Sequence, residues 1–222
     1  ERIIDEDKRA QLGAHYTSEK NILKVINPLF MDGLRERLKS ARSKADMFKL
    51  HEHIANLKFL DPACGCGNFL VIAYRELRRF EHDLIEKLYG RSLNQQTGLQ
   101  DTYIKVSINQ FYGIEYEDHA SEIGKVALYI TDHQMNIEAE NRFGQTRPTI
   151  PLIATPNIVT ANALRYDWNE LLPAEGCNYV MGNPPFRGKL QQTDDQRTDL
   201  SFVCGGLKNF GLLDYVSAWF VK

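Results

Sequence analysis

The 222-residue sequence is 43% hydrophobic and 25% charged with only 8 prolines, a composition that suits one large globular domain and excludes disordered and collagen-like chains. Its formal net charge of -2 supplies no global basic field, so any surface for nucleic acid must be local or lie on parts outside this chain. The four cysteines, Cys64, Cys66, Cys177 and Cys204, are few and irregularly spaced, which suits reduced thiols in a cytoplasmic protein rather than a disulfide framework.

Cys64 and Cys66 lack the second close pair that a zinc site needs, so no metal site is expected. No apolar run reaches membrane-spanning length, and the opening ERIIDEDKRA is too charged for a signal peptide. A start at Glu1 and an end at AWFVK, inside an apparent helix, read as a piece of a longer protein.

In chain order, SEKNILKVINPLFMDGLRERLKSA places Ile22, Val25, Ile26, Leu29, Phe30, Leu34 and Leu38 at helical spacing. Thr17 or Ser18 is the expected cap, and Pro28 predicts a kink. A second helix over about Lys44 to Asn56 leads into LKFLD, a short strand ending at Asp61. After PACGCGN a helix starts near Phe69, with Phe69, Ala73, Leu77, Phe80, Leu84 and Leu88 on one face, and stops at Gly90. RSLNQQTGLQD reads as a surface loop, NQFYGIE as a strand ending at Glu115, and Asp118 as the cap of a helix to about Asn136. PNIVTAN and CNYVMGN predict a third and a fourth strand, with Asn162 and Asn183 at their ends. Residues 187–211 are polar and glycine-rich and predict a mobile loop.

Strands alternating with helices predict an α/β fold with a mostly parallel sheet, helices on both faces, and an N-terminal helical segment in front. The expected division is residues 1–56 for that segment and 57–222 for the catalytic core. Open sheets of this kind bind ligands outside the carboxyl ends of their strands, so Asp61, Glu115, Asn162 and Asn183 are expected around one crevice.

The chemistry of each strand end narrows the ligand. In DPACGCGNF, Gly65 and Gly67 allow close backbone approach at a helix N-terminus, while Asp61 suits a ligand with an amino group or sugar hydroxyls better than a pyrophosphate. By itself the same stretch is also a tight strand-to-helix turn. Glu115 has the position of an acid that binds ribose hydroxyls, and Tyr116 could pack on a base. In NPPF, Pro184 and Pro185 hold the backbone nearly rigid between Asn183 and Phe186. The Asn183 side-chain oxygen and the Pro184 carbonyl could accept both N–H bonds of a conjugated amine and free its lone pair for attack, with Phe186 stacked on the ring.

The segment DPACGCGNF resembles the first motif of class I methyltransferases that use S-adenosylmethionine, in a form common among adenine-N6 DNA methyltransferases. Cys66 replaces the usual serine, threonine or glycine. By that resemblance Asp61, Pro62, Ala63, Cys64, Gly65, Gly67, Asn68 and Phe69 contact the cofactor, with Glu115, Tyr116, Asn162 and Ala163. Asn162 stands where aspartate is common. Asn183, Pro184, Pro185 and Phe186 are the expected catalytic group acting on a flipped adenine. Upstream, LGAHYTSEKNI resembles the segment by which Tyr16 and Thr17 would close over the methionine end of the cofactor.

Together GAHYTSEKNI, DPACGCGNFLVIAYREL, GIEYEDHA, ANALRYDW, GNPPFRGK and LDYVSAWF resemble the methyltransferase part of bifunctional type IIL restriction-modification enzymes, from about Leu12 onward. The resemblance implies a Rossmann-like fold, incomplete in this piece, and a parent chain acting on double-stranded DNA. Endonuclease and target-recognition domains are expected in that parent. A protein glutamine methyltransferase is the rival enzyme reading, although tyrosine is typical there in place of Phe186. A cofactor-binding piece without turnover is a reading from another class.

Overall fold

In the computed structural model, which describes residues 17–90, 103–143 and 156–222, four strands are built from the short apolar runs: β1 (Phe59–Asp61), β2 (Phe111–Glu115), β3 (Asn157–Thr160) and β4 (Tyr179–Val180). They lie in the order β3-β2-β1-β4 and every pair is parallel. Parallel neighbours need crossover connections, so all four strands present their carboxyl ends at the same edge. Register is set by side chains that share a face. Phe59 is level with both Phe111 and Tyr179, and the Phe59 ring stacks on each of them at 4.8 and 5.4 Å between centroids.

That aromatic face is covered by helices α1 (Glu19–Ile26), α2 (Asp32–Ser40), α3 (Lys44–Ala55), α4 (Asn68–Tyr89) and α5 (Asp118–Phe143). Ile22, Ile26, Phe30, Leu34 and Leu38 from the N-terminal helices share one buried cluster with Phe59, Phe111, Leu77 and Phe80, so the described part of the 1–56 segment packs directly on the sheet core. The opposite face, with Leu60 and Ile114, is covered by the chain that follows β3, including Ala163, Leu172 and the short helix α6 (Trp168–Leu171).

Pro28 disturbs the first helix as expected, through a π-helical turn over Asn27–Met31 rather than a break. Val25 and Leu29, expected on the core face, are 43% and 40% exposed instead, and the buried stripe runs through Ile22, Ile26, Phe30, Leu34 and Leu38 at intervals of four. Helix α3 begins at a capping box in which Ser43 Oγ accepts from the Asp46 N–H and Asp46 accepts from the Ser43 N–H. Helix α5 continues to Phe143, beyond the expected end near Asn136. The expected loop at 91–101 lies outside the described residues.

Two further expectations are corrected. Strand β4 spans only Tyr179 and Val180, and Asn183 lies three residues beyond it. One more ladder bond, from the Met181 N–H to the Leu60 carbonyl at 2.9 Å, is made before the backbone leaves the sheet, and the two prolines that follow have no N–H with which to continue it. Residues 187–211, expected to be a loop, contain helix α7 (Asp194–Cys204). Thr193 and Gln196 cap it reciprocally. Leu200 and Cys204 pack with Leu164, Tyr215 and Ala218, the last on helix α8 (Ser217–Val221), in a second small core.

Candidate active site

The turn after β1 is shaped by two glycines with positive φ, Gly65 at 54° and Gly67 at 80°. Gly67 has a further constraint, since a Cβ there would stand 3.2 Å from the Gly124 Cα of α5. The turn therefore packs backbone against backbone, and α4 starts immediately at Asn68. The Gly67 N–H donates to the Cys64 carbonyl at 2.8 Å, and the Cys64 N–H extends the pairing of β1 and β2 by donating to the Ile114 carbonyl at 3.1 Å.

Asp61 lies under this turn and not on an open surface. It is 1% exposed, and its Oδ1 accepts from the Ala63 N–H at 3.0 Å. Burial pushes its carboxyl up to about 7, helped by the charge of Glu115 and opposed by the Ala63 N–H. Gly182 closes the other side, where a Cβ would stand only 2.4 Å from Asp61 Oδ1. The segment that leads into NPPF is thereby pressed against the acid at the end of β1.

Glu115, at the end of β2, spans two turns. Its Oε2 accepts from the Gly65 N–H at 2.8 Å and its Oε1 from the Glu117 N–H at 2.9 Å. Burial raises its pKa, against the lowering effect of those N–H groups. Tyr116 beside it is 65% exposed and offers an open ring face. The Ala161 N–H donates to the Glu115 carbonyl at 2.8 Å, which brings Asn162 to the same edge. Asn162 donates through Nδ2 to Asp199 at 2.8 Å and accepts at Oδ1 from the Leu164 N–H at 3.0 Å.

Asn183 donates through Nδ2 to Thr17 Oγ1 at 3.1 Å, a contact across 166 residues of sequence. Its Oδ1 is thereby turned away from the hydroxyl. Phe186 is 63% exposed, while Pro184 and Pro185 are half-buried. Contacts thus connect Thr17, Asn183, Gly182 and Asp61 on one side, and Glu115 with the turn that carries Asn162 on the other, the charge of Glu115 acting on Asp61 between them.

Other expected site residues face elsewhere. The side chains of Cys64 and Phe69 are buried in the main core, and burial holds the Cys64 thiol protonated, so only their backbone can meet a ligand. Ala163 is buried on the opposite sheet face, where its carbonyl accepts from the Trp168 indole N–H. Pro62 presents its carbonyl to the Trp219 indole N–H at 3.5 Å. Asn68 begins α4. Tyr16 lies outside the described residues. Sequence reasoning did not find Asp199, Tyr215 or Trp219 beside the site. The signal for Asp199 was the T-x-x-Q cap of Thr193 and Gln196, which announces a helix inside the polar stretch, while Tyr215 and Trp219 fall within LDYVSAWF.

Comparisons with known proteins agree with the fold. The family profile described as MmeI, DNA-methyltransferase domain, matches residues 37–222. The chain is 44% identical over 225 residues to DNA methyltransferase A of Bacillus subtilis (strain 168), covering 98% of this chain and 25% of that protein. It also superimposes on the type IIL restriction-modification enzyme MmeI, solved in complex with DNA, with a TM-score of 0.93 and 47% identity over 98% of this chain and 29% of that one. The chain thus spans between a quarter and a third of these relatives. The family profile covers most of the chain's length, and the chain belongs to the MmeI DNA-methyltransferase domain family.

Proposed function

We propose that the chain binds S-adenosylmethionine and, within a longer protein, directs its methyl group to the N6 amine of adenine in double-stranded DNA. The observation that carries this reading is the orientation of Asn183: Thr17 accepts from its Nδ2, which leaves Oδ1 as an acceptor three residues before an exposed aromatic ring at Phe186.

The donor set fits the cofactor. Glu115 offers carboxylate lone pairs to ribose hydroxyls, Tyr116 an open ring face to adenine, and Asp61 a buried negative charge to an ammonium group. The dipole of α4 and the glycine turn allow close approach of the ligand. When bound, the cofactor supplies an electrophilic methyl group on a sulfonium.

The chain's own residues prepare the nucleophile. The exocyclic amine of adenine is weakly nucleophilic because its lone pair is delocalised into the ring. Asn183 Oδ1 and the Pro184 carbonyl accept its two N–H bonds, which favours a pyramidal nitrogen and directs the lone pair outward. Pro184 and Pro185 fix the spacing of those acceptors, and Phe186 stacks on the base after it leaves the duplex.

MmeI was solved with DNA, which supports DNA as the partner. The parent protein is proposed to contain endonuclease and target-recognition parts, and the isolated 222-residue chain to transfer little or no methyl group without them. Among the described residues no helix is long and apolar enough to cross a membrane. Incubating the full-length protein with methyl-labelled cofactor and duplex DNA is expected to label the DNA, and Asn183→Ala to abolish the labelling. Label recovered only on protein would contradict the proposal and favour glutamine methylation.

A further inference from the structure

Asn162 stands where a carboxylate would be the simpler acceptor for an adenine amine, and an amide presents either an oxygen or an NH2 group depending on how it is turned. Its two neighbours select one orientation. Asp199 can only accept when ionised, and it takes the Nδ2 proton at 2.8 Å; the Leu164 N–H can only donate, and it meets Oδ1 at 3.0 Å. Reversing the amide would place oxygen against carboxylate and NH2 against N–H, two repulsive contacts for two favourable ones.

Asp199 is itself firmly held. Its side chain is 12% exposed, its Oδ1 accepts from Arg165 Nε at 2.6 Å and its Oδ2 from the Tyr215 hydroxyl at 3.3 Å. The Arg165 guanidinium lies 4.2 Å from the centroid of the Phe202 ring, also on α7. Leu200 and Cys204 anchor the same helix in the second core. The carboxylate is therefore neutralised by an arginine and set one residue behind the ligand edge.

We infer that Asp199 is a positioning residue that holds Asn162 with its carbonyl oxygen as the acceptor for a purine 6-amino group, so that the site selects adenosyl over 6-oxo ligands. This inference rests on the cofactor reading proposed above. An amide oxygen has two lone pairs, and the Leu164 N–H uses one of them. The second remains for the base. An aspartate at position 162 would also accept, but its charge would lie on the ligand; here the charge is carried by Asp199 and offset by Arg165.

Calorimetric titration of the full-length protein with S-adenosylhomocysteine and S-inosylhomocysteine, which differ at the 6-position of the purine, tests the inference. The wild type is expected to prefer the adenosyl ligand. In Asp199→Asn, where Arg165 keeps the amide oxygen and the NH2 group is set against that of Asn162, and in Asp199→Leu, the preference is expected to fall about tenfold, the scale of one lost hydrogen bond. The exchange of Asn162→Asp with Asp199→Asn restores it, because an NH2 group at 199 then faces an acceptor at 162. Should Asp199→Leu fail to fold, the isosteric Asp199→Asn decides the matter. An unchanged preference in folded Asp199→Asn overturns the inference, as does a wild type that binds both ligands equally. A wild type that binds neither ligand overturns the cofactor reading itself.

Discussion

At the scale of single residues, Asp61 and Gly182 press the end of β1 against the segment that leads into NPPF. Replacing Gly182 with alanine would bring a methyl group 2.4 Å from Asp61 Oδ1, so carboxylate or backbone must shift. We expect Gly182→Ala to cost about 1–3 kcal/mol of stability, as overpacking does elsewhere, and to weaken S-adenosylmethionine binding, both measurable by thermal melts with and without ligand. Asp61 also predicts a pH dependence. Its carboxyl ionises near ~3.9 when unfolded and, through burial, at about 7 in the fold. The fold therefore binds the extra proton between those values, so the group costs no stability at low pH and costs progressively more as pH rises to about 7. A bound ammonium favours the ionised form and reverses that cost. Affinity for the cofactor is then expected to rise about tenfold from pH ~6 to ~8 with proton release, and Asp61→Asn to flatten the profile; a flat wild-type profile in calorimetry would count against ammonium recognition by Asp61. Thr17 gives a third expectation. Thr17→Val keeps the shape and removes the acceptor for Asn183 Nδ2, so the methylation rate at saturating cofactor should fall by about tenfold.

At the scale of elements, a buried charged group ties the N-terminal helices to the core. Glu81 and Arg78 on α4 are both fully buried. Glu81 Oε1 accepts from His51 Nε2 on α3 at 2.8 Å and from the N–H groups of Lys105 and Val106 at 2.7 and 3.0 Å. Arg78 reaches Tyr74, Asp132 and Asn136. Glu81→Leu strands His51 and two backbone donors and removes the 3.7 Å ion pair with Arg78, so denaturant unfolding should show a loss of about 3–5 kcal/mol. The helices differ in how far the sequence exposes them. The stripe of α4 reads directly, and Phe69, Ala73, Leu77, Phe80, Leu84 and Leu88 are all buried. Helix α7 hides because it buries only Asp199, Leu200 and Cys204 among polar neighbours, too few for a periodic signal, and its stability comes from capping and from contacts with residues 164 and 215–218. The π-helical turn at Pro28 shows the same limit, since a missing N–H predicts a disturbance without fixing how the helix absorbs it.

At the scale of the whole molecule, the parallel order β3-β2-β1-β4 explains why residues 61, 115, 162 and 183 converge from four separate stretches of sequence. Strand ends marked by Asp61 and Glu115 were legible because a short apolar run stops at an acid in each case. Asn183 was legible as chemistry, through NPPF, although β4 ends three residues earlier. Long-range partners were not legible: the contact of Thr17 with Asn183 and that of Asn162 with Asp199 join residues with no local pattern in common. Methyl transfer to the adenine amine is the reaction we propose for the full-length protein. Its most direct test is mass spectrometry of nucleosides from duplex DNA treated with the full-length protein and S-adenosylmethionine. The expected product is N6-methyladenine, absent with Asn183→Ala; N4-methylcytosine, 5-methylcytosine or unmodified DNA from the active wild type would contradict the account.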